Sequence, residues 1–257
     1  MAEFQIQLEK QALLSGKTLV LVPDLAVHLG VAQALLTRQV LFLTKQIVHD
    51  GVNLDAARIS YTRLQKHLPF FTGRWIIESV RSLEEKGVLR VTRTGRVNIL
   101  AVNGQAKIAV LHSPSAGASM LVFPALACAV GLHEAIVLQQ IHLRCCGCDG
   151  SMWAIASFRR WHTDVLPFFG IATIKRLISR LRAAGLIHVS DYHNDVGVVN
   201  RYRVNYLKLA VVLDVPVPTV EAPPKADWDS SNWTNPLYPI KLSSQKQKFG
   251  VMESFVH

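Results

Sequence analysis

The sequence predicts a helix-rich α+β fold in which one unit occurs twice and an extended C-terminal tail follows. Three observations predict it. The stretch "LPFFTGRWIIESVRSLEEKGVL" at 68–89 returns as "LPFFGIATIKRLISRLRAAGLI" at 166–187. Upstream, "LVPDLAVHLGVAQALLTRQV" matches "VFPALACAVGLHEAIVLQQI", with Pro23/Pro124, Gly30/Gly131, Ala34/Ala135 and Gln39/Gln140 all 101 positions apart. The spacing falls to 98 at Pro69/Pro167, Leu83/Leu181 and Gly87/Gly185, so the slip of three lies in the variable middle, around 50–58 and 145–152. Third, apolar spacing passes from helical to strand-like in the same order in both copies. Two matched segments in one order, separated by a change of loop length, are the mark of a duplicated domain.

The elements follow in order. An apolar helix spans 31–47 in the first copy and 132–144 in the second. A short polar segment leads to a second helix, 60–68 or 157–165, with Ser60 and Ser157 where N-caps belong. After the turn "PFF" comes a third helix, 73–86 or 171–184. Its core positions are Ile76, Val80 and Leu83 in one copy and Ile174, Ile178 and Leu181 in the other. Gly87 and Gly185 end it as C′ residues. A hairpin closes each copy: "VLRVTRTGRVNILAV", with Thr94-Gly95 at its tip, and "LIHVSDYHNDVGVVNRYRVNYLKL", with a longer and more polar tip. Helix, helix–turn–helix and hairpin is the order of a winged helix-turn-helix domain. There the third helix is free to enter a major groove and the hairpin reaches phosphates or the minor groove.

The expected boundaries are an N-terminal arm at 1–16, domain one at 17–103, a linker at 104–117, domain two at 118–210 and a tail at 211–257. The linker region reads "NGQAKIAVLHSPSAGAS", and the tail carries prolines at 216, 218, 223, 224, 236 and 239. Aromatic residues in the tail (Trp228, Trp233, Tyr238, Phe249) suit docking on the body or on a replication or transcription protein.

Lys and Arg number 28 against 18 acids, a net charge of +10. Such a balance points to a polyanionic partner, nucleic acid before a membrane surface. The start "MAEFQIQLEK" has no basic and apolar leader pattern. The most apolar stretch, "MLVFPALACAVGL" at 120–132, meets His133 and Glu134 after 13 residues, too short to span a bilayer. It reads as core, and no membrane association is expected.

Cys128, Cys145, Cys146 and Cys148 make no disulfide framework and fit a reducing cytoplasm. His142, Cys145, Cys146 and Cys148 in "HLRCCGC" are weak metal candidates, with Cys128 or His162 to complete four ligands. Their spacing is cramped and no second pair of ligands exists, so thiols at a helix end are expected and no metal. His133 and His142 read as structural. Phosphate-loop, nucleophile-elbow, zincin and paired-carboxylate patterns do not occur. Neither catalysis nor a cofactor is expected.

The DNA-binding candidates divide between the copies. The third helix of the second copy carries Lys175, Arg176, Arg180 and Arg182, with Thr173 and Ser179 and no acid. Arg reads guanine edges in a fork, and Lys and Thr suit phosphates. A merely solvated basic helix is the plainer alternative. In the first copy Arg74, Arg81 and Lys86 are balanced by Glu78, Glu84 and Glu85. Its wing, however, holds Arg90, Arg93 and Arg96 without an acid. The second wing mixes Arg201 and Arg203 with Asp191 and Asp195. Two linked modules would meet neighbouring stretches of one duplex at high effective concentration. Alternatively the first copy forms a homodimer or a protein scaffold, with Trp75 at the interface, and only the second reads bases.

The second copy resembles a winged-helix module of phage, plasmid and mobile-element replication proteins, the replisome organisers or replication-initiator-like proteins. The resemblance rests on "LACAVGLHEAIVLQQIH", "DGSMWAIASFRRWHTDVLPFFGIATIKRLISRLRAAGLI" and "NRYRVNY". Glu134, Gln139, Gln140, His142, Trp153, Ser157, Trp161, Pro167, Phe168, Gly185, Tyr202 and Tyr206 fit the family's pattern. Leu143 and Arg144 stand where it has an aromatic pair. The resemblance implies binding of double-stranded DNA at an origin or operator of a mobile element (plasmid, phage or integrative element), with no cofactor. The expected role is control of replication initiation or transcription, in the cytoplasm at the nucleoid.

Overall fold

A computed structural model describes residues 18–48, 56–94, 97–104, 119–146, 153–194 and 197–214. The expected arm at 1–16, nearly all of the linker and the tail from 215 onward lie outside the described residues. The protein is a mixed α+β chain with small antiparallel sheets.

Two runs of elements follow one another in the same order. The first is β1 (Leu19–Leu21), α1 (Pro23–Leu29), α2 (Val31–Val48), β2 (Ala56–Arg58), α3 (Tyr61–His67), α4 (Gly73–Glu85), β3 (Leu89–Thr94) and β4 (Val97–Val102). The second is β5 (Met120–Val122), α5 (Pro124–Val130), α6 (Leu132–Cys146), β6 (Ala154–Ile155), α7 (Phe158–Arg160), α8 (Ile171–Ala183), β7 (Ile187–Asn194) and β8 (Gly197–Val204). A last helix, α9, covers Tyr206–Leu213.

Local chemistry explains most of these bounds. Pro23 and Pro124 open α1 and α5, where a missing N–H costs nothing. The Ser60 and Ser157 hydroxyls accept from the N–H groups of Arg63 (3.1 Å) and Arg160 (3.2 Å), as N-caps should. At the far end of α4 the Gly87 N–H bonds the Glu84 carbonyl and the Val88 N–H bonds Leu83. Gly185 and Leu186 repeat this on Arg182 and Leu181. Both glycines take φ near 70°, at 69° and 70°, the left-handed geometry that closes a helix.

Packing follows the amphipathic pattern. Ile76, Val80 and Leu83 of α4 are buried, as are Ile174, Ile178 and Leu181 of α8. The centre of each run is the long apolar helix. In α6 every residue from Ala135 to His142 is buried, because sheet, helices and β5 surround it. Strand order is β2-β4-β3 in one sheet and β6-β8-β7 in the other.

Four features differ from the sequence-based expectation. The short strands β2 and β6 lie in or beside the segments read as variable; two or three residues carry too little alternation to see. The second hairpin is longer in its strands, eight residues each against six, and not in its tip: pairing resumes after two residues in both. The helix expected over 157–165 is α-helical only to Arg160 and continues as a π turn over Trp161–Val165. There Leu166 N–H bonds the Trp161 carbonyl at 2.8 Å, and the Trp161 ring is fully buried. Finally, α9 runs through the boundary drawn at 210, because Asn205 caps it by accepting from Lys208 N–H at 3.2 Å.

The two runs meet through a sheet that the sequence did not announce. Strand β1 pairs with β5 antiparallel, Leu19 opposite Val122, Val20 opposite Leu121 and Leu21 opposite Met120. Residues 101 apart are equivalents, so each strand pairs crosswise with its own copy. A local two-fold axis therefore passes between Val20 and Leu121. No single helix among the described residues is long and apolar enough to cross a membrane. Helices α5 and α6 reach that length only together, across a 118° bend.

Candidate nucleic-acid interface

Helix α8 turns Ile174, Leu177, Ile178 and Leu181 into the core and its basic positions outward. Lys175, Arg176, Ser179, Arg180 and Arg182 are exposed and Thr173 is half-buried. Amphipathic spacing alone produces this split: Ile174, Leu177, Ile178 and Leu181 occupy one stripe.

Two of these cations have partners that the sequence did not reveal. The Arg180 guanidinium donates to Glu134 of α6 at 3.0 Å. Glu134 stands in the first turn of α6, where the helix dipole favours its charge. Its carboxylate reaches the helix start so closely that a Cβ added at Gly131 would fall 2.8 Å from Oε2. This corrects the expectation that Arg180 is free of acids. Its side chain is still 61% exposed, and the guanidinium has donors beyond the one bonded. The Lys175 ammonium lies over the Phe158 ring, 5.3 Å from its centroid, which fixes its stem against α7. Arg176 and Arg182 stay on the outer face.

Beside them His133 sets its ring edge against Phe169, 5.0 Å between centroids. Burial pushes its imidazole below the ordinary range; Glu134 opposes this shift and Arg176 adds to it.

The first copy places different chemistry at the same positions. At the offset of 98, Thr173, Lys175, Arg176, Arg180 and Arg182 correspond to Trp75, Ile77, Glu78, Ser82 and Glu84. Trp75 stacks on Phe71, 3.7 Å between centroids and 20° between planes. Ile77 is 49% exposed. Arg74 pairs with Glu78 at 2.8 Å, and Arg93 of β3 with Glu84 at 2.9 Å. The Glu134–Arg180 contact has its counterpart in Gln33 donating to Ser82 at 3.3 Å, and Lys86 donates to Gln33 at 2.9 Å. The clasp between the long helix and the third helix is thus kept while its charge is changed.

The expectation for the first hairpin is corrected in part. Arg90 is exposed, but Arg93 is turned back onto Glu84, and Arg96 lies outside the described residues. Arg81 is exposed on α4. In the second hairpin Arg201 and Arg203 alternate with buried Tyr202 and Val204. They therefore stand on the face of the sheet away from the core, not beside the outer face of α8. Arg201 Nε donates to Ser190 Oγ at 2.7 Å, and its guanidinium covers the Trp153 ring at 4.6 Å.

The weak metal candidates have other partners. His142 is buried with Nδ1 2.9 Å from the Tyr206 hydroxyl, and the Cys145 thiol faces the Tyr202 carbonyl at 3.5 Å. The Cys146 side chain and Cys148 lie outside the described residues, among which no metal-ligating cluster occurs. Arg144 lies over the Trp161 ring, 5.1 Å from its centroid.

Comparison of the chain with protein-family models, with curated proteins and with solved structures gave no match.

Proposed function

We propose that the protein binds double-stranded DNA sequence-specifically through two tandem winged helix-turn-helix domains. Domain two inserts α8 in the major groove. The observation that carries this reading is the outward basic face of α8, with Lys175, Arg176, Ser179 and Arg182 set on a buried apolar stripe and no acid in the helix. Arg176 and Arg180 are assigned to base edges, and Lys175, Arg182 and Thr173 to phosphates. The resemblance to replication-initiator-like modules supports a role in replication initiation or transcription of a mobile element. The pseudo-two-fold at β1 and β5 favours half-sites in inverted order. Because the helix surfaces differ, the two half-sites differ too.

The experiment is a salt titration of duplex binding on selected sites. Log affinity should fall linearly with log salt, with a slope of about 0.9 per phosphate contact. Arg176→Ala should cost about 1–3 kcal/mol on the preferred site and relax preference at one base pair. Duplex affinity that ignores both salt and this substitution refutes the assignment.

A second reading has its own observation. The stacked Phe71–Trp75 pair and exposed Ile77 suit protein contact better than phosphate contact. In that reading domain one is a dimerisation or scaffold module in a nucleoprotein complex and only domain two touches DNA.

A further inference from the structure

The outer face of the second sheet is a surface that duplex reading by α8 does not use. Register and burial define it. Tyr202 and Val204 point into the core, so Arg201 and Arg203 point out. Their pairing partners Ser190 and His188 share that face, and Tyr192 follows two residues after Ser190. Trp153, one residue before β6, joins the face by lying under the Arg201 guanidinium. No carboxylate stands among these six positions.

The arrangement of Arg201 is built rather than casual. Its Nε is anchored to the hydroxyl of Ser190 directly across the strand pair, and its guanidinium carbon lies over an indole, 4.6 Å from the ring centroid. Both contacts hold a long side chain that would otherwise sample many rotamers. The first copy has none of this. By strand pairing the equivalents of Trp153, Ser190 and Arg201 are Ala56, Thr92 and Ile99. A pleated face carrying aromatic rings, a guanidinium held over an indole and further basic side chains matches unpaired nucleotides. Bases stack on flat aromatic and guanidinium surfaces while cations follow the phosphates, with little dependence on sequence. A duplex offers no exposed base faces, and an acidic peptide would make no use of the stacked planes.

We propose that this sheet face of the second copy binds single-stranded DNA, with Trp153 and Arg201 as the stacking platform and Arg203 and His188 on the phosphates. The activity is separate from groove reading by α8 and stands whether or not that reading holds.

Fluorescence anisotropy on the full chain tests it, with an oligothymidine about 15 nucleotides long and, in parallel, the preferred duplex. Trp153→Leu and Arg201→Gln should each weaken oligothymidine binding about tenfold, as loss of one stacking contact does. Each should leave duplex affinity within about twofold, a change worth less than half of 1.4 kcal/mol. The double variant Arg176→Ala and Arg180→Ala should do the reverse. Arg201→Gln, at a partly exposed strand position, keeps the test sound if Trp153→Leu fails to fold. No oligothymidine binding by the unaltered chain, unchanged binding in Arg201→Gln, or parallel loss of both ligands would overturn the proposal. Loss of duplex binding alone leaves the sheet face intact and counts only against α8.

Discussion

Arg180 shows how a single residue's meaning changes between sequence and structure. In the chain it is one of four cations on a helix; in the fold it is bonded to Glu134. That pair is exposed on the Arg side, so it adds at most about 1 kcal/mol to stability. Its greater effect is on charge. On the proposed reading, Glu134→Gln should raise duplex affinity by releasing Arg180 and removing a negative charge beside α8, with a small change in Tm; lower affinity would mean that Glu134 instead holds Arg180 in its binding position. His133 carries a pH dependence. Its folded imidazole titrates below the ordinary value, so between the two the unfolded chain binds the extra proton. Stability from this site is therefore complete above about pH 6.5, declines as pH falls toward the folded value and is level below it. His133→Gln should flatten that part of a Tm-against-pH curve, and an unaltered curve would place the titration elsewhere. Of the histidine's neighbours only Glu134 is next to it in the chain; Phe169 and Arg176 come from elsewhere, so nothing at position 133 alone signals it.

At the scale of elements, caps and apolar stripes made the helices legible. Ser60, Ser157, Gly87 and Gly185 act as their types and positions predict, because capping is decided within a few residues of chain. Gly185→Ala should destabilise by about 1 kcal/mol from backbone conformation alone, since an added Cβ meets nothing within 4 Å. Chemical denaturation would measure it, and an effect near zero would mean the turn after α8 relaxes freely. Ser157→Ala should also cost about 1 kcal/mol, by the loss of one N–H acceptor. The π turn and the two-residue strand β6 were not legible. Both are imposed by what surrounds them: the buried Trp161 ring in one case and the pairing with β8 in the other.

For the whole molecule the β1–β5 ribbon is decisive. It ties the start of one copy to the start of the other, and buried Leu21 and Val122 lie in one continuous core with residues of both copies. The described body should therefore unfold in one cooperative transition by calorimetry. Two separate transitions would show that each copy folds independently. Leu21→Ala, which removes a fully buried side chain at this junction, should lower stability by about 2–5 kcal/mol and depress the transition as a whole.

The sequence by itself determined the repeat of its segments, the order of the helices and hairpins, the stripes that face inward and the contrast between the balanced charges of 73–86 and the basic α8. These depend on spacing and residue type, which are local. Only the tertiary structure decided that Arg180 and Arg93 lean on carboxylates, that Arg201 lies over Trp153 on the back of its sheet and that the two copies are joined about a local two-fold axis. Each of those contacts brings together residues from separate elements, and their meeting depends on how whole surfaces pack, which no short window of sequence records.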